Sequence, residues 1–414
     1  MSGASEERSS VAERFRPFGT TIFTEMTLLA NKHGAVNLAQ GFPDFDGPEF
    51  VKRAAADAMG VGGSGQNQYA RMFGIPALNA AIAAAWQVRT GQAIDPDRQV
   101  TVTSGCTEAL AATMLGLVNP GDEVILFEPY YDSYIAGVAM AGGVPRIVTL
   151  RPPEGSDGQF RFDADELRRA FTGRTRLILV NTPHNPTGKV FTRQELALIA
   201  ELCIGHNVVA VTDEVYEHLT YDPALPHVSL AGLPGMAERT VTCSSLGKSF
   251  SLTGWKIGWA VASPGLSKAV RSAHQFLTFA TSTPLQHGAA AALSMGPEAK
   301  AYLGGLIAEF SRGRKYLGDA LAALGLRVFW PAGAYFIMVQ WTDARTGGGQ
   351  RLGDRFADDA AFCRWMTEHV GVAAIPPSVF YTNREHGRSL ARFAFCKKYS
   401  TLEEGVRRLK KMRI

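Results

Sequence analysis

The stretch SSLGKSFSLTGWKIGW, residues 244–259, decides how this chain is read. Just ahead of Ser244, residues 240–243 form a short apolar run of the kind that makes a buried strand. Lys248 follows in a turn of small and hydroxyl residues, Ser244, Ser245, Gly247 and Ser249. Further on, Lys256 is enclosed by Trp255, Ile257, Gly258 and Trp259. Most lysines are solvated and dispensable to a fold. One that follows a strand end, walled by small residues and an indole, is partly desolvated, and desolvation lowers the pKa of an amine. A neutral amine is the nucleophile that condenses with carbonyl groups. The hydroxyls and the second cation suit a phosphate nearby.

From Gln99 onward the chain alternates. VTVTSG reads as a strand, CTEALAATMLGLV as a helix closed by Asn119-Pro-Gly, DEVILFEP as a strand, YYDSYIAGVAMAG as a helix and PRIVTL as a strand. After a helix over 163–171, the runs RLILVNTP, NVVAVTDE and RTVTCSS are strands of Val, Ile and Leu with little alternation. Continuous apolar strands between helices imply a mostly parallel sheet covered on both faces, an α/β fold. Residues 297–324 read as a long helix. Beyond it the rhythm becomes that of a smaller α+β module: strands RVFW, AYFIMVQ and ARFAFC, a Gly-rich loop over 347–353 and a helix over 357–370. The predicted division is an N-terminal arm belonging partly to the small domain (1–45), a large domain (46–300) and a small C-terminal domain (301–414). Residues 60–65 read as a flexible connection between helices over 49–59 and 77–89.

Polar residues gather where the apolar runs end, as they do at the carboxyl edge of such sheets. Asp213, in VVAVTDEVYEH, closes a buried strand, where a lone carboxylate is costly without a cation or donors. Tyr216 is expected one helical turn away on the same side. NTPHNPTG (181–188) is a sharp turn after RLILV, and turn chemistry explains its Pro and Gly but not Asn181 and Asn185. SGCTEAL (104–110) starts a helix at Gly105, Cys106 and Thr107, capped by Ser104 or Thr107, and free N–H groups there suit an anion. EPYYDSY (128–134) offers Tyr131 as a stacking ring. Arg392, flanked by apolar residues in ARFAFC, calls for a carboxylate partner, either internal or a ligand's.

Together these strings resemble the class I/II aminotransferases that use pyridoxal phosphate (PLP), of fold type I. NLAQGFPDFDGP, NQYARMFG, NTPHNPTGKV, TDEVYEHL, GWKIGW and VAAIPPSVF occur in the family's order, and the likeness runs from about Thr20 to Leu409. They look most like the kynurenine, glutamine and methionine branch. The resemblance implies that Lys248 forms the Schiff base and shuttles the proton, Asp213 pairs with the pyridine nitrogen and Tyr216 bonds the ring oxygen. It implies that Gly105, Cys106, Thr107, Ser245 and Lys256 hold the phosphate end and that Tyr131 stacks on the ring. Asn185 contacts the ring oxygen, with Asn181 beside it. Arg392 takes the substrate α-carboxylate with the backbone of Gly41. Tyr69 reaches the cofactor phosphate of a second subunit, and Phe23 and Phe279 line the substrate pocket, so the enzyme is expected to be a homodimer with composite sites. The substrates implied are a neutral sulfur-bearing, aromatic or amide L-amino acid and a 2-oxo acid. Enzymes for N-succinyl-diaminopimelate carry very similar strings, and a C–S β-lyase shares every cofactor residue, so both stand as alternatives.

Bulk properties exclude other classes. Hydrophobic content of 46% with 19% charge describes a globular chain, and a net charge of +4 over 414 residues demands neither nucleic acid nor an anionic membrane. The basic end RRLKKMR (407–413) reads as the solvated face of a last helix. MSGASEERSSVAERFR has acids and no apolar core, so neither a signal nor a transit peptide is expected. Cytoplasmic location is the expectation. The five cysteines are scattered without a C-x-x-C pair, against a disulfide framework or a zinc site. A PLP-sensing regulator module needs a fused basic winged helix, for which the short N-terminal stretch leaves no room. A Rossmann nucleotide site fails for lack of a G-x-G-x-x-G after any strand.

Overall fold

The computed structural model of the protein describes residues 10–60, 65–155, 158–345 and 348–413. The first nine residues lie outside these, as do parts of the expected flexible connection (60–65) and Gly-rich loop (347–353).

Twelve strands occur among the described residues. They are β1 (Val36–Asn37), β2 (Val100–Ser104), β3 (Glu123–Glu128), β4 (Val144–Thr149), β5 (Thr175–Asn181), β6 (Val209–Asp213), β7 (Thr240–Ser245), β8 (Ile257–Ala262), β9 (Arg327–Phe329), β10 (Phe336–Gln340), β11 (Val372–Ala373) and β12 (Leu390–Ala394). Seven of them form one sheet in the order β2-β8-β7-β6-β5-β3-β4. Its pairings are parallel except those of β8, which runs antiparallel to both neighbours. The reading by periodicity missed β8, because GWKIGW had been absorbed into the lysine loop. The sheet is therefore mixed, though mostly parallel.

Both faces of this sheet are apolar, which explains the unbroken hydrophobic runs. On β5, Leu177 and Leu179 pack with Ala109, Met114 and Val270 on one face. The alternate residues Ile178 and Val180 pack with Leu196 and Ile199 on the other. Helices Gly105–Leu117 and Pro264–Leu277 cover the first face and helix Arg193–Gly205 the second. That last helix starts at a capping box, Thr192 with Glu195, which satisfies two otherwise orphaned N–H groups.

The 27-residue helix Pro297–Ala323 leads to a three-stranded antiparallel sheet, β12-β10-β9. The N-terminal segment joins this module. β1 pairs in parallel with β11, Val36 opposite Val372, and Ala394 N–H donates to Leu38 O at 2.7 Å. Backbone pairing across the length of the chain thus ties residues 36–38 to the last strands. The expected helix over 357–370 is an α-helix only from Asp359 to Trp365 and continues as a π-turn, Met366–Val370. No helix among the described residues is long and apolar enough to cross a membrane, and the five cysteines are buried and free.

Candidate active site

The carboxyl ends of β2, β3, β5, β6 and β7 open on a cavity of about 320 Å³ that also meets the N-terminal arm and β12. Lys248 faces it from a one-turn helix, Leu246–Ser249, directly after β7. Burial pulls the amine's pKa down, with Cys396, Asp213 and Cys106 pulling weakly the other way and Lys256 adding to the fall. That is the environment of a nucleophilic lysine.

Asp213 ends β6 and points into the same cavity, 5% exposed. Burial raises its pKa. Tyr134 Oη donates to Oδ2 at 2.7 Å, Val215 N–H to Oδ1 at 3.3 Å, and the Cys106 thiol lies 3.7 Å from Oδ1, all favouring the anion. Tyr216 lines the cavity too, but from a turn: the segment after β6 does not form the helix expected there. Its ring meets Tyr335 edge-on at 5.0 Å, and Tyr335 Oη donates to Gly41 O at 2.6 Å. Burial drives the Tyr216 phenol pKa upward, so the group stays protonated and able to donate.

The helix start at Gly105 closes one end. Gly105 has φ +77°, and a Cβ there would lie 3.1 Å from Cε and Nζ of Lys256. Lys256 is itself left-handed, φ 54°, so its backbone is held in a conformation side chains rarely adopt. On β8, a Cβ at Gly258 would lie 2.4 Å from Cys106 N, so glycine is what lets the strand abut the helix start. Neither expected cap operates: Ser104 makes no side-chain cap bond, and Glu108 accepts from the Ser104 N–H instead. Cys106 and Thr107 follow along the rim, with Ser245 from the end of β7.

At the opposite end Arg392 is 1% exposed. Nη1 donates to Asn185 Oδ1 at 2.9 Å and Nη2 to Ala39 O at 2.8 Å, while Nε has no partner. None of these partners is a carboxylate. Aromatic rings surround the guanidinium, Phe336 at 4.2 Å, Phe23 at 5.2 Å and Phe380 at 5.5 Å. Burial lowers its pKa to about 10, which leaves it cationic at neutral pH. Tyr131 lies across from it, its pKa pushed up to about 12 by burial first and by Asp132 and Asp213 next.

Of the residues singled out in the sequence, three do not line this cavity. Asn181 lies behind it, donating to Asp213 O at 2.9 Å and accepting from Asn185 N–H at 2.7 Å, a brace between two residues that do line it. Tyr69 and Phe279 are on the surface, 85% and 47% exposed, their rings edge-to-face at 5.5 Å. The sequence reading missed Tyr134, which sits one helical turn beyond Tyr131, Gln40, which adjoins Gly41 within NLAQGFPDFDGP, and Phe336, which carries no motif.

A buried amine, a buried carboxylate, a backbone cradle under a lysine and a buried guanidinium with a free N–H define the site of a group-transfer enzyme acting on anionic substrates. The donor set fits pyridoxal phosphate: the cradle at Gly105 has no side chain beside Lys256, leaving room for an anion, and the buried carboxylate of Asp213 would serve as counter-charge to a ring cation. The family model "Aminotransferase class I and II" matches residues 33–409, and the chain belongs to that family. Its members are PLP-dependent transaminases and generally dimeric. Among similar proteins is a probable N-succinyldiaminopimelate aminotransferase of Mycobacterium tuberculosis, 46% identical over 405 residues, 96% of this chain and 97% of the relative. The methionine aminotransferase of Escherichia coli is 40% identical over 395 residues, 95% and 96% of the two chains. A solved structure of N-succinyldiaminopimelate aminotransferase from Mycobacterium tuberculosis superposes with a TM-score of 0.90 at 45% identity, covering 97% of this chain and all of the other.

Proposed function

We propose that this chain uses pyridoxal phosphate to move an amino group from a neutral L-amino acid with a sulfur-bearing, aromatic or amide side chain to a 2-oxo acid. One observation carries the substrate side. The cations lining the cavity are Lys248, Lys256 and Arg392 among the described residues, and each has a task in the reading. When bound, the cofactor supplies an electrophilic carbonyl carbon and a ring that withdraws electrons. Lys248 contributes a neutral amine, takes the proton from the substrate Cα and returns it on the other side of the transfer. Asp213, its carboxylate held in place by Tyr134, would keep a proton on the cofactor's ring nitrogen. Tyr216 and Asn185 would donate to the ring oxygen, and Tyr131 would offer its ring for stacking. The cradle at Gly105, Cys106 and Thr107, with Ser245 and Lys256, takes the phosphate. Arg392 grips the α-carboxylate with N–H groups of its guanidinium that the bonds to Asn185 and Ala39 leave over, beside the Gly41 backbone.

A dicarboxylic donor needs a further cation for its side chain. The arginines of the loop after Phe380 lie elsewhere: Arg388 donates to Ala357 O at 2.8 Å and pairs with Glu385, and Arg384 is exposed. Placing a second carboxylate against Phe23, Phe42 and Tyr131 without a partner costs several kcal/mol. The second reading, an N-succinyl-diaminopimelate donor, is favoured by the name of the relative at 46% identity. Comparing kcat/KM for methionine, phenylalanine, aspartate and N-succinyl-diaminopimelate decides between them. Methionine or phenylalanine is expected to lead, and a lead of about tenfold or more, near 1.4 kcal/mol, for either of the two acidic donors sinks the neutral-pocket reading.

The reading includes a homodimer in which Tyr69 and Phe279 serve the partner's site, supported by two large rings exposed together outside their own cavity. Mixing inactive Lys248→Ala chains with inactive Tyr69→Ala chains is then expected to restore roughly a quarter of wild-type activity, the share set by random pairing and one repaired site per mixed dimer. A fully active monomer by sedimentation contradicts it. The arm (1–45), large domain (46–300) and small domain (301–414) complete this reading, the arm contributing Phe23 and Gly41.

A further inference from the structure

Glu108 and His274 do not line the cavity, and nothing in the chemistry above uses them. Glu108 lies in the first turn of helix Gly105–Leu117, the helix whose start forms the phosphate cradle. Its carboxylate accepts from Ser104 N–H, from His274 Nδ1 at 2.5 Å and from Thr278 Oγ1 at 2.8 Å. The other ring nitrogen of His274, Nε2, lies 2.7 Å from Met72 O. A carboxylate on one side and a carbonyl on the other are satisfied together only if both ring nitrogens carry protons. Burial pulls the imidazole pKa down, but the Glu108 hydrogen bond and charge outweigh it and the net shift is upward. The side chain of His274 is completely buried, so this is an ion pair inside the protein.

The placement has an electrostatic meaning. An unpaired carboxylate one turn into an anion-binding helix repels the anion that the helix start attracts. The imidazolium cancels that charge while leaving the carboxylate free to hold the Ser104 N–H. The same pair reaches the two segments that carry the exposed rings. Met72 is in the segment of Tyr69, and Thr278 precedes Phe279.

We propose that Glu108 and His274 are a positioning pair for phosphate: they fix the cradle's first turn, neutralise it toward an anion, and tie to it the Tyr69 and Phe279 segments. This rests on the reading that the cofactor phosphate binds at this helix start. The test compares dissociation constants of the full-length chain for pyridoxal phosphate and for pyridoxal, which lacks the phosphate, by quenching of tryptophan fluorescence. In His274→Gln the bare Glu108 charge is expected to weaken pyridoxal phosphate by about tenfold or more, with pyridoxal unchanged within about twofold. In the double variant Glu108→Gln/His274→Gln two neutral amides bridge the same gap, and pyridoxal phosphate is expected to return to within about threefold of wild type. Thr278→Val removes one donor at the edge and serves if the others fail to fold, with an expected loss of about two- to threefold confined to the phosphorylated ligand. Equal losses for both ligands, an indifferent His274→Gln, or a double variant no better than the single one overturn the inference alone. A wild-type chain that binds neither ligand overturns the cofactor reading and this inference with it.

Discussion

Lys248→Ala is expected to abolish transamination, a loss of at least about 10⁴-fold or roughly 5.5 kcal/mol of barrier, because nucleophile and proton carrier are one side chain. The fold is expected to survive. Lys248 makes no strand pairing, and its desolvated amine is a cost to the protein, so removing it does not open the core. Pyridoxal phosphate is expected to remain bound through the Gly105 cradle and Asp213, but no longer covalently. The measurement is borohydride reduction followed by peptide mass spectrometry. Wild type is expected to carry the pyridoxyl group on Lys248 and the variant on no lysine. A label on Lys256, or on any other lysine in wild type, means the assignment is wrong.

Asp213→Asn keeps nearly the same shape and removes one charge. Rate is expected to fall on the order of a thousandfold, about 4 kcal/mol, because the interaction strengthens as electrons move into the ring. Stability is expected to hold, since the amide oxygen can still accept from the Val215 N–H while the amide NH2, on the side of Tyr134, can donate to its hydroxyl oxygen. The carboxylate's raised pKa shows that burial already works against the anion, so trading it for an amide relieves a desolvation cost. The check is kcat beside thermal melting of the cofactor-free form. A variant near wild-type rate makes Asp213 a turn residue only, and a collapsed melting temperature makes it structural.

The fold was legible where burial wrote a period into the chain. β3, β5, β6 and β7 are apolar on both faces, so they stand out as unbroken runs. β8 was not legible, because its first residues also form the wall of a lysine loop and its partners are antiparallel neighbours without a hairpin signal. Lys248, Asp213, Asn185 and Gly105 were legible because each lies at a strand end or in the turn after one, and Arg392, in the middle of β12, because it is a lone cation among apolar residues. Tyr134, Glu108 and His274 were not. Their meaning lies in hydrogen bonds between residues 79 and 166 positions apart, and sequence spacing carries no trace of such contacts. The unexpected turn after Asp213 has a similar cause: Glu214 and Glu217 are drawn into bonds with His227 and Ser244, which an isolated helix would not satisfy.

The stitching of the arm to the last strands bears on when a nascent chain becomes an enzyme. Arg392 takes its orientation from Ala39 O, and Ala394 closes on Leu38. A chain emerging from the ribosome can assemble the seven-stranded sheet, with Lys248 and Asp213 in place, once residue 262 is out. On the proposed reading its grip on the substrate waits for residue 394, with residues 36–38 lacking their partners in the last strands until then. On that reading, synthesis therefore passes through a stage that has the amine but not yet the guanidinium, and selection of an amino acid begins only once residue 394 has been made.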